Sequence, residues 1–267
     1  MKKTTILMIF LALMACKPSS KKEETQVPEP IGSGIPKSNY PENLAKVFEA
    51  HGGLDLWKSM RTLSFVLPNP DAPETHTIDL WSRKDRVDTE KYSMGFDGES
   101  AWLLDTDKNY KGDAAFYHNL MFYFYGMPFV LADDGIVYGE AEDLVYEGKH
   151  YPGIKISYNI GVGASSKDEY FIHFDPDTHQ MAWLGYTVTY RTGESSDNFR
   201  WIHYGEWQNV GGLVLPKAIT WHNYEGRNIL DARNTVTFED ASVSKEPKPD
   251  SFYEKPEEAD FVEIKKS

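Results

Sequence analysis

The chain has 267 residues, a formal net charge of −13, 40% hydrophobic and 14% aromatic side chains, and a single cysteine. That charge repels phosphate and argues against a nucleic-acid binder, the composition excludes collagen-like, coiled-coil and wholly disordered chains, and one cysteine supplies neither an internal disulfide nor a cysteine-based structural zinc site. What is left is one folded domain of about 200–250 residues, for which a large β-sheet or barrel fits better than two domains.

Residues 1–15 read as a secretory signal: Lys2 and Lys3 lead into the apolar run Ile6 to Ala15, which is too short to span a bilayer. Leu13-Met14-Ala15-Cys16 has the form of a bacterial lipobox. Cleavage before Cys16 would leave an amino-terminal cysteine carrying acyl chains; the alternative is a plain secretory signal with an incidental cysteine. At about 0.8 kcal/mol per buried CH₂, two or three such chains hold a protein on a membrane permanently. Residues 16–40 then form a flexible tether, because Lys17-Pro18-Ser19-Ser20 and the following Lys-Lys-Glu-Glu run bury nothing. The expected location is the outer membrane, lipid-anchored, facing the periplasm or the cell surface.

The folded part opens with an amphipathic helix in which Leu44, Val47 and Phe48 share a face, Pro41 sits in the first turn and Gly52-Gly53 end it. A second short helix from Asp55 to Met60 buries Trp57 and Met60. Strands follow near 62–67, 75–82, 84–90, 100–105, 136–140, 154–160, 169–174, 181–190, 199–208, 213–224 and 233–241. They are separated by turn signals that include Asp97-Gly98, Asp133-Asp134-Gly135, Tyr151-Pro152-Gly153, Asp175-Pro176-Asp177, Gly193 to Asp197 and Gly211-Gly212. The expected fold is mainly β with a few helices, a long antiparallel meander over residues 41–245 followed by a C-terminal extension, 246–267. From Asp113 to Tyr125 the pattern becomes helical and apolar nearly all round, and Phe129-Val130-Leu131 follow; such a helix is either core or a plug that lines a cavity for an apolar ligand.

Helix, Gly-Gly, tryptophan, then Thr62-Leu63-Ser64-Phe65 opening a long sheet, with Phe174-Asp175-Pro176-Asp177-Thr178 and Gly212-Leu213-Val214-Leu215-Pro216 later, resembles the lipoprotein-localisation-factor (LolA-like) superfamily, in its Gram-negative outer-membrane lipoprotein branch. The resemblance implies a half-open antiparallel β-barrel of about eleven strands wrapped over helices, with a hydrophobic face that holds acyl chains or whole lipids. A tethered member can receive or present a lipid but cannot ferry it far.

Trp81, Trp102, Trp183, Trp201 and Trp221 fall on expected strands. With Phe116, Leu120, Phe124 and Phe129 of the helical segment they are the candidate ligand-lining residues, although a one-residue register slip turns any of them outward. Eight histidines include His173, His203 and His222 on strands, yet none forms His-Glu-x-x-His or another close ligand pair. Asp105-x-Asp107-x-Asn109 starts like a calcium loop but has Tyr110 and Phe116 where glycine and glutamate are required. No nucleophile elbow, dinucleotide or Walker motif is present, so no catalytic residue, metal or cofactor is expected. The expected protein is a monomeric, non-enzymatic binder of a lipid or acyl chain, with an envelope protein as a further partner. An adaptor module is the alternative, and a glycan- or ester-processing hydrolase using scattered carboxylates such as Asp168, Glu169, Glu194 and Asp197 is the remaining one.

Overall fold

The computed structural model describes residues 40–159, 168–188 and 198–263, all within one compact unit, Ser38–Ser267. Cys16, the signal, the tether up to residue 39 and the Gly193–Asp197 turn lie outside the described residues.

The described chain forms fourteen strands in two antiparallel seven-stranded sheets. The first sheet collects β1 (Thr62–Leu67), β2 (Glu74–Asp79), β3 (Asp85–Asp88), β4 (Ser93–Phe96) and β5 (Ala101–Leu104) in sequence order. β13 (Glu239–Ser244) is added beside β1, and β14 (Asp260–Val262) beside β5. The second sheet runs from β6 (Ile136–Tyr146) through β7 (Lys149–Tyr158), β8 (Tyr170–Phe174), β9 (Met181–Tyr186), β10 (Arg200–Val210) and β11 (Leu213–Glu225) to β12 (Asn228–Thr237). β12 becomes β13 through one residue, Phe238, so a single chain passes from the edge of one sheet to the edge of the other. The opposite edges, β6 and β14, have no strand beside them among the described residues, which makes the whole a half-open barrel. Phe238 is buried at this junction, its amide donating to the Lys217 carbonyl (2.9 Å) and its ring packing on Tyr125 (4.5 Å) and Phe65 (5.4 Å).

Helices fill the space between the sheets. α1 (Glu42–Ala50) buries Leu44, Val47 and Phe48, and α2 (Leu54–Ser59) buries Trp57. The expected continuous helix over 113–125 is instead two pieces, α3 (Ala114–Tyr117) and α4 (Leu120–Tyr125), followed by a 3₁₀ turn, Phe129–Ala132. Asp113 caps the first piece by accepting from the Phe116 amide. The break at His118-Asn119 coincides with a tertiary demand, since His118 is drawn to Asp85 on the first sheet. Tyr204 donates its hydroxyl to the Phe124 carbonyl (3.0 Å), and Tyr138 donates to that of Leu131 (2.6 Å), which fixes the segment to the second sheet.

His51, fully buried at the end of α1, joins the helix to two strands of the second sheet. Its Nδ1 is 2.8 Å from the Val214 carbonyl and its Nε2 is 3.0 Å from the Met181 amide. Because the amide can only donate, Nε2 must be unprotonated, so the ring is the neutral tautomer with the proton on Nδ1.

Two expectations need correction. Tyr151-Pro152-Gly153 is not a turn but the interior of β7; Pro152, which has no amide to give, sits where the β6–β7 register shifts between Ala141 and Leu144. The reversal lies at Glu147-Gly148, both with positive φ (50° and 79°), the geometry of a tight hairpin turn. The helix over 113–125 is broken as described. Within the C-terminal extension, Asp260–Val262 form β14, which pairs with β5, and the Trp102 indole donates to the Tyr253 carbonyl at 3.0 Å.

Candidate functional site

A cleft of about 430 Å³ opens between α2, the β2–β3 turn and the end of the helical segment, lined by Trp57, Lys58, Leu80, Trp81, Arg83, Phe129, Ala132, Asp133 and Asp134. Its aromatic part is a stack: Phe129 lies parallel to Trp57 (4.8 Å, 10°) and, on α1, to Phe48 (6.4 Å, 12°). Trp81, 61% exposed, lines the same cleft.

The β2–β3 turn is built to present that indole. Asp79 accepts from the amides of Trp81 (3.0 Å) and Ser82 (2.8 Å), and its carbonyl accepts from Arg83, which adopts φ 63°. Burial pushes the Asp79 carboxyl up, but these amides and the Arg61 guanidinium (2.7 Å) outweigh it and lower its pKa. Arg61 also lies over the Trp81 ring at 4.3 Å, and the indole N–H donates to the Lys58 carbonyl at 3.0 Å. Asp79→Ala removes all of these bonds to a charged acceptor, so a loss of about 2–3 kcal/mol in urea unfolding is expected. The Trp81 emission should shift to the red in the same variant. Arg83 pairs with Asp133 across the cleft, and burial nevertheless raises the Asp133 pKa. The cleft thus places the exposed Trp81 indole and a charged rim beside the buried Trp57 and Phe129 rings.

The other end of the helical segment is fixed by a buried polar network that the sequence reading did not single out. Glu74, His76 and Asp85 face inward from β2 and β3. Tyr117 donates to Glu74 (2.7 Å), Glu74 meets His76 (3.2 Å), and His118 Nδ1 meets Asp85 (2.7 Å). Burial pushes the Glu74 carboxyl up, yet hydrogen bonds from His76 and Tyr117 outweigh it and lower its pKa. For Asp85 burial wins over His118 and the pKa is raised. The signal available in the sequence was Glu74-x-His76-x-Ile78, polar residues at positions of one parity on a strand whose third member is plainly core.

Of the expected ligand-lining residues, Phe129 and Trp81 line the cleft. Trp81 does so from a turn, because β2 ends at Asp79. Phe124 and Trp221 meet edge to face (5.5 Å) in the main core, against which Leu120 is half-buried, and Phe116 is half-buried on α3. Trp102 lies on the outer face of the first sheet, flat over Gly95 and covered by the C-terminal segment. Trp183 and Trp201 lie on the outer face of the second sheet, in a separate cluster with Phe171, Phe199 and Leu144. Asp105 folds back onto the amides of Asn109 (2.8 Å) and Tyr110 (2.7 Å), which makes it the cap of a turn. Among the described residues no three His, Cys, Asp or Glu side chains are placed to hold a metal ion, and no helix is long and apolar enough to cross a membrane.

Residues 108–217 match a family of unknown function, DUF6503. No curated protein matches the chain. Three solved structures are similar to it. A LolA superfamily protein from Nitrosomonas europaea has 10% identity and a TM-score of 0.46, covering 80% of this chain and 96% of that one. A DUF1329 family protein from Desulfovibrio piger has 8% identity and a TM-score of 0.46, covering 79% and 95%. A domain assigned to the outer membrane lipoprotein-sorting proteins, from Vibrio parahaemolyticus, has 7% identity and a TM-score of 0.42, covering 72% and 88%.

Proposed function

We propose that this is a lipid-anchored protein of the bacterial envelope that binds a lipid or another apolar ligand, without a catalytic step, in the cleft between α2, the β2–β3 turn and the end of the helical segment. The observation that carries the reading is the cleft itself: the exposed Trp81 indole lines it together with the Trp57–Phe129 stack, and Lys58, Arg83, Asp133 and Asp134 complete its lining. An apolar chain would gain about 25 cal/mol for each Å² of the exposed Trp81 ring it removes from water, while a polar head stays among the rim charges. A volume of about 430 Å³ is at the small end for a ligand site, so a whole lipid requires the segment from α3 to the 3₁₀ turn to move outward. The anchor is Cys16, following the Leu13-Met14-Ala15 sequence that precedes it, and the location is the outer membrane.

Titration of the full chain with oleate tests the reading. Tryptophan emission should change saturably, and Trp81→Phe should remove most of that change while oleate still binds. A flat titration in the unmodified protein contradicts it.

A further inference from the structure

The charges around the cleft divide by element. Lys58 on α2 and Arg83 on the β2–β3 turn line it from one side, and Arg61, just before β1, lies over the Trp81 ring at 4.3 Å. Asp133 and Asp134, which directly follow the 3₁₀ turn, line it from the segment that has to move if a whole lipid enters. Asp79, the acid beside the three cations, is already engaged by Arg61 and by the amides of Trp81 and Ser82.

Arg83 is held so as to present its guanidinium. Its backbone has φ 63°, in the left-handed region that a non-glycine residue adopts at a cost, and its amide donates to the Asp79 carbonyl at 2.9 Å. The guanidinium meets the helical segment twice: it lies 5.1 Å from the centre of the Phe122 ring on α4, and its Nη2 donates to Asp133 Oδ1. Nη1 is buried with no hydrogen-bond partner. A guanidinium is a fork that suits two oxygens of one anion, and here only one of its outer nitrogens is used. Asp133 is in turn a poor permanent partner, since burial raises its pKa despite Arg83 and the neighbouring Asp134 adds to the rise.

Phe122 and Asp133, the two groups set against the Arg83 guanidinium, both belong to the stretch from α4 to the residue after the 3₁₀ turn. Outward movement of that stretch frees Nη2, takes the Phe122 ring off the guanidinium, and carries Asp133 and Asp134 away together. Arg83 itself stays on a turn capped by Asp79. What remains on the cleft wall is Lys58 and Arg83, with Arg61 over the indole. An anionic head is attracted by these cations, a cationic head meets like charge, and a neutral head leaves the guanidinium without a counter-charge.

Resting on the reading of this cleft as the ligand site, we propose that Asp133 holds the place of the ligand's head, and that the site takes amphiphiles whose head is an anion, a carboxylate or a phosphate, which displaces Asp133 and pairs with Arg83 through both outer nitrogens. Oleate, oleyl phosphate, oleyl alcohol and oleylamine share one chain and differ only in the head. In titrations of the full chain followed by tryptophan emission, at least one of the two anions should bind about tenfold or more tighter than the alcohol. The tighter anion tells a fatty acid from a phospholipid head. Asp133→Asn, which removes the internal competitor, should raise that preference about threefold or more, and Arg83→Gln should abolish it. A purely structural Arg83–Asp133 pair would instead weaken every ligand alike in both variants. The comparison of heads in the unmodified protein stands even if a variant fails to fold. Equal binding of all four, tighter binding of the alcohol or the amine, or a folded Asp133→Asn variant whose preference for the anion does not rise would overturn the proposal and leave the cleft reading in place. Binding of none of the four contradicts the cleft reading, and this proposal with it.

Discussion

Acidification from about pH 7 to about pH 5 should cost the folded protein about 4 kcal/mol, roughly 2 from each of two buried histidines, by the linkage between pKa shift and stability. Burial holds His51 and His173 down to about 4 in the fold, against 6.5 for the free side chain. Between those values the unfolded chain binds more protons than the folded one, so stability falls as pH falls, and the loss levels off below about pH 4. For His51 the cause is geometric as well. A proton on Nε2 would face the Met181 amide proton, replacing an accepted hydrogen bond with a clash of two donors. His203, whose pKa burial also lowers, acts in the same direction. Asp85 and Asp133, whose pKa burial raises, act in the opposite one, since they take up a proton more readily folded than unfolded. Asp175, held near 2 by Lys149 and by the amides of Thr178 and Asp177, contributes only below the ordinary aspartate range. Three histidines lose stability over this interval and two aspartates regain part of it, and the expected net is a loss. Against a typical stability of about 5–15 kcal/mol this is a large fraction. Urea midpoints measured across that interval should fall steadily as pH falls, with a slope of one to two protons. A midpoint independent of pH would contradict the neutral, buried histidines.

Phe129→Ala should cost about 3–5 kcal/mol, because the ring is fully buried and truncation leaves a cavity that its neighbours only partly fill. Few side chains here join so many elements. Phe129 stacks on Trp57 of α2 and Phe48 of α1, and the His51 ring is 6.4 Å away. The same substitution enlarges the cleft floor, so a variant that still folds at low temperature should accept a bulkier apolar probe than the parent. A small loss, near 1 kcal/mol, would mean that the stack does not hold α1, α2 and the 3₁₀ turn together. Guanidinium unfolding followed by far-UV circular dichroism measures it.

Local signals were legible wherever one residue decided the backbone. Gly52-Gly53 ends α1, Asp97-Gly98 and Gly211-Gly212 reverse the chain, and Asp175 caps its own turn through the amides of Asp177 and Thr178. The Leu44, Val47 and Phe48 stripe is the buried face of α1. Elements set by distant partners were not legible. β4 is only Ser93-Met94-Gly95-Phe96, and its glycine reads as a breaker until Trp102 is seen lying over it. Gly153 reads as a turn beside Pro152, yet it is needed flat beneath His173. β14 is three residues, Asp260–Val262, extended only because β5 offers an open edge.

The candidate site was legible in part for the same reason. Phe129 is conspicuous in an apolar segment and does line the cleft, but the side of a sheet that a tryptophan takes depends on register. Trp183 and Leu184 are neighbours in β9, and they point into different clusters. The acid and imidazole groups of Glu74, His76, Asp85 and His118 come from β2, β3 and the break between α3 and α4, and no spacing in the sequence announces that they meet.

Native mass spectrometry of the full chain, extracted from its own membrane and released into the gas phase under mild conditions, tests the central claim most directly. The account predicts an added mass of a lipid or fatty acid bound non-covalently, distinct from any acyl chains on Cys16, lost on activation, and reduced in a variant carrying Trp81→Ala and Arg83→Ala. Protein that carries no non-covalent adduct, and takes none up when oleate is supplied, would contradict it.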